Sequence, residues 1–291
     1  MNQIFRYLGY SKQAFHQKMD RRLQIEEQKT LLLPIIQQLR EEHPGVPARE
    51  LYNILRPECM GRDRFEAFCF EQGLKLEKKR NFIRTTDSSG VIRFPNLVTG
   101  RELTHVNQVW VSDITYYQMV DSVYYLTFIM DLYSRVIVGY NVSTRLKTEQ
   151  TTLPALRQAL KARRPDPGLI FHSDGGGQYY CKEFLDLTRK WNIANSMCDI
   201  VFENPHAERI NGTIKNQYIK GYKPHCYRTL IKATHRAVYN YNGVRPHKSL
   251  GRKTPLQFEK PAGGPSLTSD VFCNLGNKVQ QHQKKHHLST R

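Results

Sequence analysis

Asp113 stands inside an apolar, β-branched and aromatic run, QVWVSDITYY, between Val111 and Ile114. Aspartate is depleted in strands, and an unpaired buried carboxylate is costly. A structural partner, a solvent-facing position or a bound cation must therefore compensate it. Asp174 closes a second short apolar run, GLIFHSD, and the glycines that follow let a ligand approach the backbone closely. A turn with a helpful aspartate is the plainer alternative. Glu208 lies in ENPHAERINGTIKNQ, four positions after Asn204, a good N-cap, with Pro205 a good first helical residue. The helix macrodipole favours a carboxylate there whether or not it does chemistry. Lys215 follows seven residues later, two turns along the same helical face. A strand, a strand end and a helix start can bring three acids to one divalent-cation site. Mg²⁺ takes oxygen ligands and keeps waters or substrate phosphates in its shell. Two such ions about 3.5–4 Å apart activate a nucleophile and stabilise the leaving oxygen in phosphoryl transfer.

The elements that must hold these residues follow from periodicity. QVWVSDITYY, VYYLTFIMD and SRVIVGYNV read as three consecutive antiparallel strands, with turns at Asp121-Ser122 and Leu132-Tyr133. TEQTTLPALRQALKARR reads as a helix with Pro154 in its first turn or at a kink, GLIFHSD as a strand, KEFLDLTRKW as a helix and IANSM as a strand. Two more helices are expected over 204–220 and 228–242. Hairpins mixed with helical crossovers predict an α/β fold, a mixed sheet flanked by helices. An all-α region precedes it. Residues 1–44 read as a helical segment that Pro34 kinks or restarts. Residues 45–80 read as two short helices around PECMG, with Leu51, Ile54 and Leu55 on one apolar stripe, Phe65, Phe68 and Leu74 on the other, and Gly73 as C-cap. That pair suits a helix-turn-helix module presenting Arg62 and Arg64 to DNA; an ordinary helical hairpin has the same pattern. Residues 81–104 form a linker rich in turn formers, entered through the basic Lys78, Lys79 and Arg80, which suits a phosphate backbone. The catalytic core is expected over 105–260 and a flexible basic tail over 261–291.

The 291 residues include 44 Lys+Arg against 26 Asp+Glu, a formal charge of +18, which points to a polyanionic partner. Hydrophobic residues at 39% make a disordered chain a poor reading. The six cysteines include no C-x-x-C pair, so packing thiols are expected rather than a zinc finger or disulfides. The His-rich HQKKHH of the tail reads as solvated rather than metal-binding. No apolar run reaches the ~20 residues of a membrane span, and the start shows no signal-peptide pattern, so a cytoplasmic, nucleoid-associated protein with no membrane partner is expected.

WVSDITYY, HSDGGGQY and ENPHAERINGTIK, followed by YNGVRPHKSLGRKTPLQF, resemble bacterial insertion-sequence transposases with a retroviral-integrase-type core, of the group made from two overlapping reading frames; this chain is similar to the second-frame product. The resemblance covers roughly residues 45–259. It implies a ribonuclease-H-like fold and a DDE transposase that cleaves DNA and transfers strands. Asp113, Asp174 and Glu208 would be the catalytic, metal-binding triad, holding two Mg²⁺ ions with Mn²⁺ as a substitute. Lys215 matches the family's basic residue and would contact DNA, and Arg245, with Pro246 and His247, matches its closing motif. The implied partners are DNA (element ends and target), the first-frame helix-turn-helix protein and further copies of this chain on DNA. Two departures stand out: the stretch between the second and third acids is two residues shorter than the family's usual one, and Gly175 replaces a common basic residue. Glu203 is a rival third acid, which the motif alignment passes over for Glu208. Two other functions remain open on the residues alone: a catalytically inactive, transposase-derived DNA-binding regulator, and a ribonuclease-H-like nuclease.

Overall fold

The structure, a computed structural model, describes residues 9, 11–74, 76, 94–120, 122–174, 176–198 and 204–260. Lys78, Lys79, Arg80, Gly175, Glu203 and the expected tail lie outside them. The described residues fall into two compact units, one made of residues up to 42 with 47–74, the other of residues 43–46 with those from 76 onward.

The first unit is helical. α1 (Lys12–Glu42) runs unbroken through Pro34, which corrects the expected restart. Proline there removes one backbone hydrogen bond and costs about 3 kcal/mol. Burial of Leu32, Ile36 and Leu39 on either side of it offsets that, at roughly 1.5–3 kcal/mol for each side chain. α2 (Ala48–Leu55) buries Leu51, and α3 (Arg62–Glu71) buries Phe65, Phe68 and Cys69. The α2 residue Tyr52 meets Phe65 edge-on at 5.6 Å between ring centroids. Arg49 pairs with Glu66 at 2.8 Å. α3 stops where expected: Gly73, just past its end, takes a φ of +71°, which favours glycine.

The second unit is built on a five-stranded sheet of order β3-β2-β1-β4-β5. β1 (Val109–Gln118), β2 (Val123–Asp131) and β3 (Ile137–Ser143) form the antiparallel half, as their β-branched and aromatic runs predict. β4 (Ile170–Ser173) joins β1 in parallel and β5 (Ala194–Met197) joins β4 in parallel. Parallel neighbours need crossovers, supplied by α4 (Thr152–Arg163, Pro154 in its first turn) and α5 (Lys182–Lys190). Trp110, Ile129, Leu156, Phe171 and Phe184 are at the centre of the core between sheet and helices. α4 lies so close on β3 that a Cβ on Gly139 would stand 2.3 Å from the Ala155 carbonyl, so only glycine fits.

α6 (Pro205–Thr213) then crosses β1, and its chain continues not as regular α-helix but as a π-helical stretch over Ile214–Ile219, closing with one turn at Lys220–Tyr222. Glu208 lies in the α-helical part of this element and Lys215 at the start of its π-helical part. α7 (Tyr227–Gly243) packs on that stretch, and α8 (Pro255–Glu259) packs on α7, its start closed by a Thr254–Gln257 capping box. Cys59, Cys69, Cys181, Cys198 and Cys226 form no disulfides among the described residues. No helix among the described residues is long and apolar enough to cross a membrane.

Candidate active site

The sheet register brings the first two acids together. β1 and β4 pair in parallel through Val109↔Ile170, Trp110↔Phe171 and Val111↔His172. Continuing that register by two residues sets Asp174 opposite Asp113. Asp113 is half-buried on β1, and Asp174 sits just beyond the β4 end, accepting the Gly176 N–H at 3.1 Å on Oδ1. The loop after Asp174 thus turns back on the carboxylate.

α6 supplies the third wall. Asn204 caps it through the Ala207 N–H at 3.4 Å, and its carbonyl accepts the Glu208 N–H at 3.1 Å. The same Asn204 side chain donates to the Ser112 carbonyl at 3.0 Å, so the cap fastens the helix start to β1 one residue before Asp113. One turn further along, Asn211 Nδ2 donates to Asp113 Oδ2 at 2.8 Å. Asn211 is buried, and among the described residues its Oδ1 has no hydrogen-bond partner. Glu208, three residues before it and so on the same side of the helix, is exposed, and among the described residues no hydrogen bond or ion pair ties its carboxylate down. Beneath the acids, Ser112 Oγ lies 3.0 Å from the Tyr179 hydroxyl.

These positions leave their mark on ionisation. Burial pushes the Asp113 carboxyl up to about 7, and the charges of Asp174 and, more weakly, Glu208 add to it against the hydrogen bonds from Ile114 and Asn211. Burial also raises Asp174. Tyr179 is held well above its ordinary value by burial, then by Asp174 and Asp113. Carboxylates crowded until one holds its proton near neutrality form a site whose charge a cation would balance. Among the described residues, no three His, Cys, Asp or Glu side chains stand close enough to enclose an ion as placed. Asp113 and Asp174 form the near pair, and the untethered Glu208 would have to rotate toward them.

Two models described as integrase core domain match residues 104–201 and 202–255. An insertion element IS600 uncharacterized 31 kDa protein of Shigella sonnei is 30% identical over 257 residues, covering 87% of this chain and 94% of its own length. The chain belongs to the integrase-core family of insertion-sequence transposases. Transposase InsF for insertion sequence IS3A of Escherichia coli (strain K12) is 32% identical over 160 residues, so the match spans about half of each protein, 53% and 54%. The HTLV-2 integrase catalytic core domain, solved in complex with magnesium, aligns at 22% identity and a TM-score of 0.45 over 54% of this chain and 98% of its own. The second unit of this transposase is the ribonuclease-H-like mixed sheet that the family carries.

The remaining sequence-predicted contacts are placed variously in the transposase. Lys215 Nζ donates to Thr115 Oγ1 at 2.9 Å and the Tyr116 carbonyl at 3.4 Å, on the strand that carries Asp113. Burial lowers its ammonium, Lys220 adds to that, and Asp113 opposes it. Arg245 is half-buried and donates to Gln217 Oε1, and the His247 ring meets Tyr241 edge-on at 4.7 Å, so the closing motif packs inward. Arg62 pairs with Asp63 at 2.8 Å, and Arg64 is exposed. Asn211 is the functional neighbour that sequence reasoning passed over. Its signal was available: a polar residue three positions after the proposed acid, on the same helical face.

Proposed function

We propose that this transposase cuts DNA at the ends of an insertion sequence and joins the freed ends to target DNA, with Asp113, Asp174 and Glu208 as ligands for two Mg²⁺ ions, for which Mn²⁺ can substitute. The observation that carries the reading is the β1–β4 register, which sets Asp174 beside Asp113 under the helix bearing Glu208. The oxygen-only donor set fits a hard divalent cation. When bound, such ions neutralise phosphate charge and favour attack by a hydroxyl oxygen. The chain's own part is positioning. Asn211 holds the Asp113 carboxylate in one orientation, Asn204 fastens α6 to β1, and Lys215, hydrogen-bonded to Thr115 on the strand that carries Asp113, would meet a phosphate beside the reacting one. In the first step a water oxygen replaces the 3′ oxygen at phosphorus, and the departing 3′ oxygen takes a proton to become a hydroxyl. In the second, that hydroxyl attacks a target phosphodiester, which releases the target's own 3′-hydroxyl. The first step is a hydrolysis, and in the second one phosphodiester forms as another breaks, so no external energy source is needed.

The finer partners belong to the same reading. Arg62 and Arg64 on α3, with Lys78, Lys79 and Arg80, would bind DNA ahead of the core, and the first-frame helix-turn-helix protein would contribute recognition of the ends. Two ends must be held together, which requires at least a dimer on DNA, acting in the bacterial cytoplasm at the nucleoid. The test is strand transfer on a labelled linear duplex carrying the element's end, with Mg²⁺, comparing wild type with Glu208→Gln and supplying the first-frame protein separately and as a fusion. Joined product from wild type alone is the expected result. No product in any tube from a folded, DNA-binding protein would overturn the reading in favour of an inactive regulator.

A further inference from the structure

Between Glu208 and Glu259 the chain has no acidic residue, and across those fifty positions it carries eleven lysines and arginines. Solvated helices ordinarily mix both signs and gain from i,i+4 pairs of opposite charge. α7 does the reverse. Arg228, Lys232 and Arg236 repeat every four residues, all exposed, with His235 exposed beside them. At 1.5 Å per residue the repeat spaces the cations about 6 Å apart along the helix. Like charges at that spacing weaken an isolated helix. No ion pair among the described residues holds Lys220, Lys223, Arg228 or Lys232. The opposite face of α7 is anchored by buried Leu230, Ala233, Ala237 and Tyr241, so the cations are carried on a fixed support. Tyr227, Ile231 and Tyr239 lie exposed beside them at 38%, 42% and 55%. The basic run begins close to the catalytic acids: it passes from Lys215 through Lys220 and Lys223 to α7, which packs on the π-helical stretch.

We infer that the outward face of α7, extended by Lys220 and Lys223, is a duplex-DNA surface separate from the catalytic centre, which grips the phosphate backbone without reading bases. The inference rests on the transposase reading for the identity of the polyanion. One-signed cations at regular spacing recognise repeated phosphates, and the exposed Tyr239 hydroxyl can donate to a phosphate oxygen. An acidic protein partner would meet the same charges, but the run's continuity with Lys215 favours the substrate itself.

The test measures binding of the full chain to a random-sequence duplex and to an element-end duplex over a range of salt, for wild type, for Arg228→Gln/Lys232→Gln and for a control pair, Lys161→Gln/Lys190→Gln, that removes the same charge from exposed sites on α4 and α5. Each phosphate contact contributes about 0.9 to the slope of log affinity against log salt. The α7 pair should lower that slope by about two on both duplexes, while the control pair leaves it nearly unchanged and thermal unfolding matches wild type for both. Equal slopes for the α7 pair and wild type, or equal losses for both pairs, would overturn the inference. So would a loss confined to the element-end duplex, since base-independent contact must affect both. Because the readout is binding, it stands apart from strand transfer: absence of cleavage would sink the transposase mechanism without touching this result.

Discussion

Asp113 and Asp131 lie on adjacent antiparallel strands, each an aspartate at an apolar strand, and their surroundings are opposite. Asp131 closes β2 and is fully buried. Four donors converge on it: the Asn107 N–H at 2.6 Å, the Tyr133 and Ser134 N–H groups at 3.0 and 2.9 Å, and the Ser134 hydroxyl at 3.1 Å. That carboxylate knots the β2–β3 turn to the entrance of β1. Asp113 receives one side-chain donor from Asn211 and faces a second carboxylate; burial first, and then the charge of Asp174, push its carboxyl up to about 7. A buried carboxylate with a full set of donors has its charge met by dipoles, and the charge of one crowded by another carboxylate would be met by a cation. Burial alone does not separate them; the sign of the neighbours does.

That contrast can be broken most severely at the acids themselves. Asp113→Asn, Asp174→Asn and Glu208→Gln should each cut strand joining by on the order of a thousandfold or more while leaving DNA binding intact, read in parallel joining and gel-shift assays. Joining by Glu208→Gln at the wild-type rate would remove Glu208 from the triad. Asp131→Ala should instead strip several buried donors of their acceptor and lower stability by about 3 kcal/mol in urea unfolding, with Asp113→Asn showing no such loss. Asn211→Ala should weaken Mg²⁺ binding about tenfold, as expected for a residue that orients a ligand, with little change in unfolding; unchanged affinity would reduce Asn211 to a packing residue.

The smallest expected effect is in pH. Asp113 ionises near 3.8 when unfolded and at about 7 when folded. As pH rises between those values, the unfolded chain releases the proton and the folded chain retains it, so metal-free stability falls across the window and levels off above it. Wild type should show that downward slope, and Asp113→Asn should lack that component. Mg²⁺ should raise the melting temperature more at pH 8 than at pH 6, because binding must expel the retained proton. A thermal shift equal at both values would contradict the crowded-carboxylate account.

Much of this transposase is legible in its residues. β-branched and aromatic runs between turns announced β1, β2 and β3, the Asn204-Pro205 pair announced the start of α6, and Gly73 the end of α3, because strand propensity and helix caps are local physics. The joint order of WVSDITYY, HSDGGGQY and ENPHAERINGTIK carried the family resemblance. What stayed hidden depends on distant partners. Pro34 looked like a break because the burial that offsets it cannot be seen locally. The π-helical turn under Lys215 had no local signature, since its register follows from burying Ile214, Tyr218 and Ile219 together. Asn211 was an ordinary helical residue until β1 came alongside. The amino-acid sequence by itself determined most of the segments that become strands and helices and where the candidate acids stand along them. Only the tertiary structure decided that Asp113 meets Asp174 whereas Asp131 meets four donors, because a carboxylate's role depends on charges and dipoles brought within a few ångströms by residues far away in the chain.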